Sequence, residues 1–251
     1  MQKEPLVFLP GMMCDIRLFS HQLVDLAGER TLTVAPITDG ETITEIAKSV
    51  LSDAPRKFAL AGLSMGGIVA MEIMRLASDR VTRLALMDTN PLAETPHVAS
   101  NREPQIIKAK TGQLGEVMQD ELKPNYLAPG PSRSDVLALV MDMALKLGPS
   151  VFIRQSRALQ RRSDQHATLR KVNVDTLVLC GEHDALCPPK RHELMAQLIP
   201  NAKLHVVQGA GHLPTLEQPM LTSRLLKSWL NGFQTKKVES PFEPVQTMNV
   251  A

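Results

Sequence analysis

The chain has 251 residues, a formal net charge of +2 at pH 7, 43% hydrophobic residues and 22% charged residues. This composition is typical of a globular protein with a sizeable core and argues against extensive disorder. The positive charges form no basic stripe of the kind that binds nucleic acid, and no apolar run approaches the length of a membrane span. We therefore expect a soluble protein that binds a small molecule, with no nucleic-acid partner and no membrane partner. The oligomeric state stays open.

The three cysteines, Cys14, Cys180 and Cys187, are odd in number and show no C-x-x-C spacing. Neither a disulfide framework nor a zinc site is therefore predicted. Free thiols fit a reducing compartment. The first apolar run, Leu6–Leu9, is far shorter than the core of a signal peptide. We expect a cytoplasmic location.

Short apolar runs typical of β-strands alternate with segments of helical periodicity along most of the chain. The predicted strands span residues 6–9, 31–35, 58–63, 81–87, 176–180 and 204–207. The predicted helices span residues 16–26, 43–51, 67–77, 190–198 and 220–230, with Asp15 capping the first and Pro188-Pro189 opening the fourth. Such alternation predicts an α/β fold with a mostly parallel sheet and helices on both faces.

Between residues 91 and 170 the short strand-like runs are absent, and apolar residues follow a helical period instead. We therefore predict a core formed by residues 1–90 and 171–232, a helical insertion at 91–170, and a peripheral or flexible tail at 233–251. Within the insertion, Arg154, Arg157 and Arg161 recur at three- and four-residue intervals and share one helical face. They are candidates for binding a substrate carboxylate or phosphate, although a solvated helix face is the simpler interpretation.

A G-x-S-x-G motif, Gly62 to Gly66 with Ser64 at its centre, lies between the strand at 58–63 and the helix at 67–77. In this context the motif predicts a tight turn that holds the serine in strained backbone angles and projects its hydroxyl outward. Glycines flank the serine because a Cβ two residues on either side would collide with neighbouring backbone. The pentapeptide alone also fits an ordinary strand-to-helix turn.

A serine hydroxyl becomes a useful nucleophile only beside a neutral imidazole that is itself oriented by a carboxylate. Two later segments supply such groups. Asp184 follows the strand at 176–180, and His212 ends a glycine-rich loop after the strand at 204–207. Because the carboxyl ends of parallel strands meet at one edge of a sheet, Ser64, Asp184 and His212 are predicted to converge there as a catalytic triad.

Other residues compete for these roles. Asp88 also follows a strand and is an alternative acid; we predict that Asp184 is the acid and that Asp88 is a turn or hydrogen-bonding residue. Cys187 is predicted to be a small buried filler. Polar surroundings predict surface positions for His21, His97, His166 and His192.

With these motifs, the chain resembles an α/β-hydrolase-fold protein, a serine hydrolase with a helical cap, over about residues 6–230. The order serine, aspartate, histidine is the one that this fold uses. The matching pieces are Leu9-Pro10-Gly11, the Ser64 turn, Gly181-Glu182-His183-Asp184 and Gly209-Ala210-Gly211-His212. The resemblance implies a mostly parallel sheet flanked by helices, with residues 91–170 as a cap inserted after the strand that corresponds to the family's sixth.

The same resemblance implies an oxyanion hole made by the backbone N–H groups of Met12 and Met65. It implies hydrolysis of a small carboxylic ester, thioester or lactone through an acyl-enzyme intermediate, with no metal and no organic cofactor. Two alternatives remain. The same triad serves carbon–carbon bond hydrolases and cofactor-free lyases acting on anionic substrates. A non-catalytic ligand receptor built on a hydrolase fold is the second alternative.

Overall fold

The computed structural model describes residues 3–121 and 126–233. The tail predicted at 233–251 lies outside the described residues except for its first residue, Phe233.

Six strands form one sheet in which every neighbouring pair is parallel. They are β1 (Leu6–Leu9), β2 (Leu32–Val34), β3 (Phe58–Leu63), β4 (Val81–Met87), β5 (Thr176–Gly181) and β6 (Ala202–Val207). Their order across the sheet is β2-β1-β3-β4-β5-β6. Strands β1, β3 and β5 are buried along their whole length, as the continuous apolar runs of a sheet covered on both faces require. The predicted fold class is therefore confirmed.

Side chains of β1 alternate between two hydrophobic clusters, one on each face of the sheet. Leu6 and Phe8 belong to the first cluster, together with residues of the last helix and of the segment between β4 and β5. Val7 and Leu9 belong to the second cluster, together with residues of the helix that follows Ser64. The sheet is thus a layer between two hydrophobic cores.

The helices of the sheet layers are α1 (Ser20–Leu26), α2 (Ile43–Asp53), α3 (Met65–Ala77), α8 (Pro189–Leu198), α9 (Pro214–Glu217) and α10 (Pro219–Leu230). The predicted helix at 16–26 begins instead with a 3₁₀ turn, Ile16–Phe19, which the Asp15 side chain caps by accepting from the N–H of Arg17 at 2.9 Å. Helix α3 begins two residues earlier than predicted because the turn at Ser64 leads directly into it. Pro189 is the first residue of α8, as predicted.

Between β4 and β5 the described residues form four helices and no strand: α4 (Pro96–Lys110), α5 (Leu114–Glu121), α6 (Arg133–Gln160) and α7 (His166–Leu169). Helix α6 kinks at Gly148, whose φ is +80°, just before Pro149. By length and composition alone α6 could span a membrane. In this fold its apolar residues Val140, Met143 and Phe152 pack into the first hydrophobic cluster, together with side chains of β1. We call residues 91–170 the cap.

Candidate active site

Ser64 lies at the sharp turn between β3 and α3. Its backbone angles are φ 55° and ψ −117°, a region that residues with a side chain rarely adopt. Its N–H donates to the carbonyl oxygen of Met87 at 2.9 Å, and its own carbonyl accepts from the hydroxyl of Thr89 at 2.7 Å. These bonds to the end of β4 and the residues after it hold the strained turn in place.

The flanking glycines are required by close backbone approach. A Cβ on Gly62 would lie 2.3 Å from the carbonyl oxygen of Gly66. A Cβ on Gly66 would lie 2.1 Å from the carbonyl oxygen of Leu9 in β1. Atoms in real proteins do not approach so closely, so both positions require glycine, for the steric reason predicted from the motif.

Ser64, His212 and Asp184 form a continuous chain of hydrogen bonds at the carboxyl edge of the sheet. The distance from His212 Nε2 to Ser64 Oγ is 2.9 Å, and the distance from His212 Nδ1 to Asp184 Oδ2 is also 2.9 Å. Asp184 and His212 are each only 2% exposed. Because a carboxylate can only accept, Nδ1 carries the proton and Nε2 faces the serine hydroxyl as an acceptor.

Asp184 is held in its charged form. Burial alone would raise the pKa of its carboxyl, but the hydrogen bond of His212, the positive charge of that imidazole when it is protonated and the N–H of Cys187 lower it below the usual value. Its second oxygen, Oδ1, accepts from the backbone N–H groups of Leu186 and Cys187, both at 2.9 Å. The carboxylate therefore has a fixed orientation before any substrate binds.

Asp88, the alternative acid, is completely buried but has a different partner. Its Oδ1 accepts from the backbone N–H of Gly181 at 2.8 Å. Burial and the negative charge of Asp184 raise the pKa of Asp88 well above the usual value. The imidazole of His212 is hydrogen-bonded to Asp184 and not to Asp88.

Glu217 holds the loop that carries His212, a role that sequence reasoning missed. Its carboxylate accepts from the backbone N–H groups of Gly211 and Leu213, each at 2.9 Å, and from that of Ala128 in the cap at 2.7 Å. The sequence signal for this role is only that an acidic residue follows the loop closely, and no periodicity distinguishes Glu217 from other acidic residues. Glu217 thus ties the loop to the cap through backbone donors.

Tyr126 of the cap contacts His212 directly. Its carbonyl oxygen accepts from the backbone N–H of His212 at 2.9 Å, and its ring centroid lies 5.0 Å from that of the imidazole at an angle of 54°. The cap therefore contributes to the position of His212 as well as covering it.

Met12, in the loop after β1, and Met65, directly after Ser64, both line the cavity that contains Ser64. As the first residue of α3, Met65 has no acceptor within its helix, and the described residues supply no acceptor to the N–H of Met12. The described residues therefore give neither N–H group a backbone acceptor outside the sheet and helix bonds.

Gln155 of α6 fixes the next residue of that loop. Its Oε1 accepts from the N–H of Met13 at 2.9 Å, and its Nε2 donates to the carbonyl oxygen of Ile37 at 3.0 Å. Gln155 is 1% exposed, and Met13 has a positive φ of 55°. A buried cap residue thus stabilises the strained loop next to Met12.

The cavity has a volume of about 410 Å³ and lies between the sheet edge and the cap. Ser64 and His212 line it from the sheet edge. Its apolar lining includes Ile68, Met118, Phe152 and Leu159. Among the described residues, its charged lining consists of Glu94, Arg102, Arg162 and Arg191.

The arginines that the sequence suggested for substrate binding do not line this cavity, which corrects that expectation. Their carboxylate partners are Asp39 for Arg154, at 3.7 Å, Glu103 for Arg157, and Glu41 for Arg161, at 3.6 Å. Arg154 also donates to the carbonyl oxygen of Thr38 at 2.8 Å. The shared helical face was identified correctly, but it faces the surface and the loop after β2, not the site.

Arg162, one position beyond Arg161, is a cavity residue that the spacing argument missed. Helix α6 ends at Gln160, so Arg162 lies beyond the helix and helical spacing does not determine where its side chain lies. Arg102 of α4 and Arg191 of α8 were missed because nothing in their local sequence distinguishes them from solvated charges. Only the packing of the cap against the core brings them together.

His192 was predicted to lie at the surface, and this prediction is wrong. The residue is completely buried, because α8 packs against the sheet, and its Nε2 accepts from the backbone N–H of Thr89 at 3.0 Å. Burial lowers its pKa to about 4. His192 is therefore a neutral structural residue that positions the segment after β4.

Asp184, Cys187 and His212 each place one potential metal ligand within 4.8 Å of the others. Cys187 is half-buried and lines the cavity, so it is not simply a buried filler. Burial, together with the negative charges of Asp184 and Asp88, raises the pKa of its thiol well above the usual value. A metal binds the thiolate form of cysteine, and both His212 nitrogens already have hydrogen-bond partners. This arrangement therefore favours the hydrogen-bond chain over a metal site.

Comparison with known proteins identifies the family of the chain. A model of the alpha/beta hydrolase family matches residues 6–224. The chain is 27% identical to the pimeloyl-[acyl-carrier protein] methyl ester esterase of Photobacterium profundum over 200 residues, covering 76% of this chain and 77% of that protein.

Two solved structures are similar over nearly the whole chain. A thermophilic esterase from Thermogutta terrifontis, with malate bound, has a TM-score of 0.84 and 26% identity, covering 93% of this chain and 92% of the other. The enol-lactonase from Burkholderia xenovorans LB400 has a TM-score of 0.80 and 21% identity, covering 92% of each chain, and shows the shared fold. Because the family model matches most of the sequence, the predicted resemblance is confirmed: the chain belongs to the alpha/beta hydrolase family and is an enzyme of the hydrolase class.

Proposed function

We propose that the protein hydrolyses a small carboxylic ester, thioester or lactone through an acyl-enzyme intermediate on Ser64. The observation that carries this proposal is the continuous hydrogen-bond chain from Ser64 through His212 to Asp184 beside a cavity of about 410 Å³. A cavity of this size suits a small acyl group with its leaving group.

In the proposed acylation step, His212 Nε2 accepts the proton of Ser64 as Oγ attacks the substrate carbonyl carbon. Asp184 stabilises the imidazolium that forms and keeps Nδ1 protonated. The imidazolium then donates its proton to the departing alcohol or thiol. Water, activated by the same imidazole, attacks the acyl-enzyme and releases the acid.

The backbone N–H groups of Met12 and Met65 are proposed to bind the oxyanion that develops on the carbonyl oxygen. In comparable sites one such donor lowers the barrier by about 3 kcal/mol. The bond from Gln155 to Met13 supports this role, because it holds the loop next to Met12. Backbone donors also explain why methionine is acceptable at both positions.

The names of the relatives support ester chemistry. The protein from Photobacterium profundum is an esterase that acts on a methyl ester, and the Thermogutta terrifontis protein is an esterase. Both share about a quarter of their residues with this chain, so they favour hydrolysis of a carboxylic ester without fixing the acyl group.

Carbon–carbon bond hydrolysis or a cofactor-free elimination on an anionic substrate is the second candidate. The observation that favours it is the group of arginines in the cavity wall. The same triad would serve these reactions. An assay that detects ester hydrolysis but no cleavage of a vinylogous 1,5-diketone favours the first proposal.

The test is the Ser64→Ala variant assayed on p-nitrophenyl esters and acyl thioesters. We expect kcat/KM to fall by about 10³-fold or more, because the nucleophile is lost while the donors of the cavity remain. Ser78→Ala, an exposed position at the end of α3, is the matched control and keeps full activity. Equal activity of Ser64→Ala and the wild type would overturn the mechanism.

A further inference from the structure

Glu94 presents a buried carboxylate in the cavity wall, with two guanidinium groups beside it. Its side chain is 2% exposed, against 18% for Arg102 and 11% for Arg162. Arg102 binds it through Nη2 at 2.6 Å and through Nε at 2.9 and 3.1 Å. Arg162 Nη1 lies 3.4 Å from the same carboxylate. The three side chains form what we call the Glu94 cluster.

The Glu94 cluster carries one negative and two positive charges, so its charges do not balance. A buried charge is stable only when a partner compensates for the loss of water. Burial lowers the pKa of Arg162, with the charge of Arg102 acting in the same direction and that of Glu94 opposing both. The wall of the cavity therefore has an unmatched positive charge.

Each arginine of the cluster also has a guanidinium nitrogen whose N–H groups have no strong acceptor among the described residues. Arg162 uses Nε for the carbonyl oxygen of Leu92 at 2.9 Å and Nη1 for Glu94, and the described residues give Nη2 no acceptor. Within the same part of the chain, Arg102 Nη1 has only the thioether sulfur of Met12, at 4.0 Å, which is a weak acceptor. Planar guanidinium donors of this kind match the oxygens of a carboxylate or a phosphate.

The cavity that contains Ser64 and the cluster also has apolar side chains in its lining. Met12 touches Arg102, and Ile68, Phe152 and Leu159 line the same cavity. Arg191, which is exposed, adds a further positive charge to the lining. A substrate with an apolar segment between its scissile carbonyl and an anionic group would therefore match both kinds of lining.

We propose that the substrate carries an anionic group, separated from its scissile carbonyl by an apolar spacer, and that Arg162 and Arg102 bind this group. The proposal rests on the hydrolase function proposed above and defines its substrate class. Two sources share this chemistry: a carboxylate at the far end of the acyl chain, and a phosphate on the alcohol or thiol leaving group.

The first test uses substrate pairs in which one member carries the anionic group and the other has a neutral group in its place. The acyl series compares monomethyl esters of linear dicarboxylic acids with the corresponding methyl ester amides. The leaving-group series compares butyryl thioesters of linear ω-mercaptoalkyl phosphates with butyryl thioesters of the corresponding ω-mercaptoalkanols. We expect wild-type kcat/KM to favour the anionic member about 10-fold or more in one series, because charge-assisted hydrogen bonds are lost in the neutral member. The series that shows the preference identifies the source of the anion.

The second test removes the proposed binding group. Arg162→Met leaves Glu94 paired with Arg102, and we expect the ratio of kcat/KM for anionic over neutral members to fall towards 1. Arg162→Lys keeps the charge without the planar fork and is expected to retain part of the preference. Arg161→Met, the adjacent residue outside the cavity, is the matched control and keeps the wild-type ratio. Thermal unfolding checks that each variant is folded.

A third measurement separates failure of this proposal from failure of the function. Binding of the same pairs to Ser64→Ala is measured by calorimetry, where we expect about 10-fold tighter binding of the anionic member. Equal affinities, or equal wild-type kcat/KM in both series, would overturn the anion site while leaving Ser64-dependent hydrolysis intact. Loss of hydrolysis for every substrate with a preserved binding preference would instead overturn the hydrolase function alone.

Discussion

The carboxyl edge of the sheet and the cap contribute to the same cavity in different ways. At the sheet edge, backbone groups fix each key side chain: Ser64 lies in a strained turn, and two N–H groups orient Asp184. In the cap, side chains such as Arg102 and Glu94 are held mainly by one another. Short local motifs therefore encode the chemistry, whereas the packing of distant helices encodes what the cavity accepts.

The largest expected effect tests whether the sheet edge contains one acid or two. We expect Asp184→Asn to lower kcat about 10⁴-fold, because an amide no longer keeps the imidazole in the right tautomer or stabilises its charged form. We expect Asp88→Asn to lower kcat less than 10-fold. Burial and the charge of Asp184 raise the pKa of Asp88 and so favour its neutral form, to which an amide is close to isosteric, and the amide oxygen still accepts from Gly181.

Both variants are measured on the same ester, with circular dichroism to compare their folds. A larger loss for Asp88→Asn than for Asp184→Asn would reverse the assignment of the acid.

The next effect concerns the backbone of the turn between β3 and α3 that contains Ser64. Gly66→Ala is expected to lower the free energy of unfolding by about 3 kcal/mol, because its Cβ would lie 2.1 Å from the carbonyl oxygen of Leu9, and backbone must move to accommodate it. Gly115→Ala in α5 is the cap control, since its Cβ would meet only Leu145 Cδ2 at 3.9 Å. The control should be unchanged or up to about 1 kcal/mol more stable in urea unfolding. Equal destabilisation of both variants would contradict the contrast between the two regions.

A smaller effect tests the link between the cap and the loop after β1, which carries Met12 and Met13. Gln155→Leu leaves the N–H of Met13 and the carbonyl of Ile37 without their partner, and we expect a loss of about 2 kcal/mol in unfolding free energy. We expect kcat to fall about 10-fold, because the loop that carries Met12 is less well positioned. Gln160→Leu removes hydrogen bonds of the same type within the cap, to Ala99 and Glu103, and should keep its kcat. An unchanged kcat in Gln155→Leu would refute the link.

The smallest effect lies on the outer face of the cap. Arg157→Gln removes an ion pair with Glu103, whose side chain is 47% exposed. Such exposed pairs contribute between 0 and about 1 kcal/mol, and we expect stability to change by no more than that and kcat/KM to stay the same. A 10-fold loss of kcat/KM would make this arginine a substrate-binding candidate again.

The sheet was predictable because its pattern is local. The strand at 58–63 and the strand at 81–87 have the predicted bounds, and the fold places Ser64, Asp184 and His212 at one edge, where the rule for parallel strands put them. Each of these residues follows a strand closely, so its place at the sheet edge depends on neighbours in sequence, whereas the contact of His212 with Tyr126 does not.

The cap was only partly predictable because its function depends on contacts between distant segments. Periodicity predicted helices in this region, but it selected Arg161 where the cavity contains Arg162. His192 looked polar in sequence and is buried by the packing of α8. Glu217 has backbone partners on both sides of the cap boundary, and no local pattern could indicate them.

The contact between Tyr126 and His212 has a consequence for engineering. Because the carbonyl of Tyr126 accepts the N–H of His212, the imidazole that we propose as the general base takes part of its alignment from a segment outside the sheet layers. A chimaera that exchanges the insertion between family members would therefore exchange a support of that imidazole together with part of the cavity lining. Transplanted insertions that keep an equivalent carbonyl at this point should preserve turnover, and those that lack it should need a compensating acceptor elsewhere.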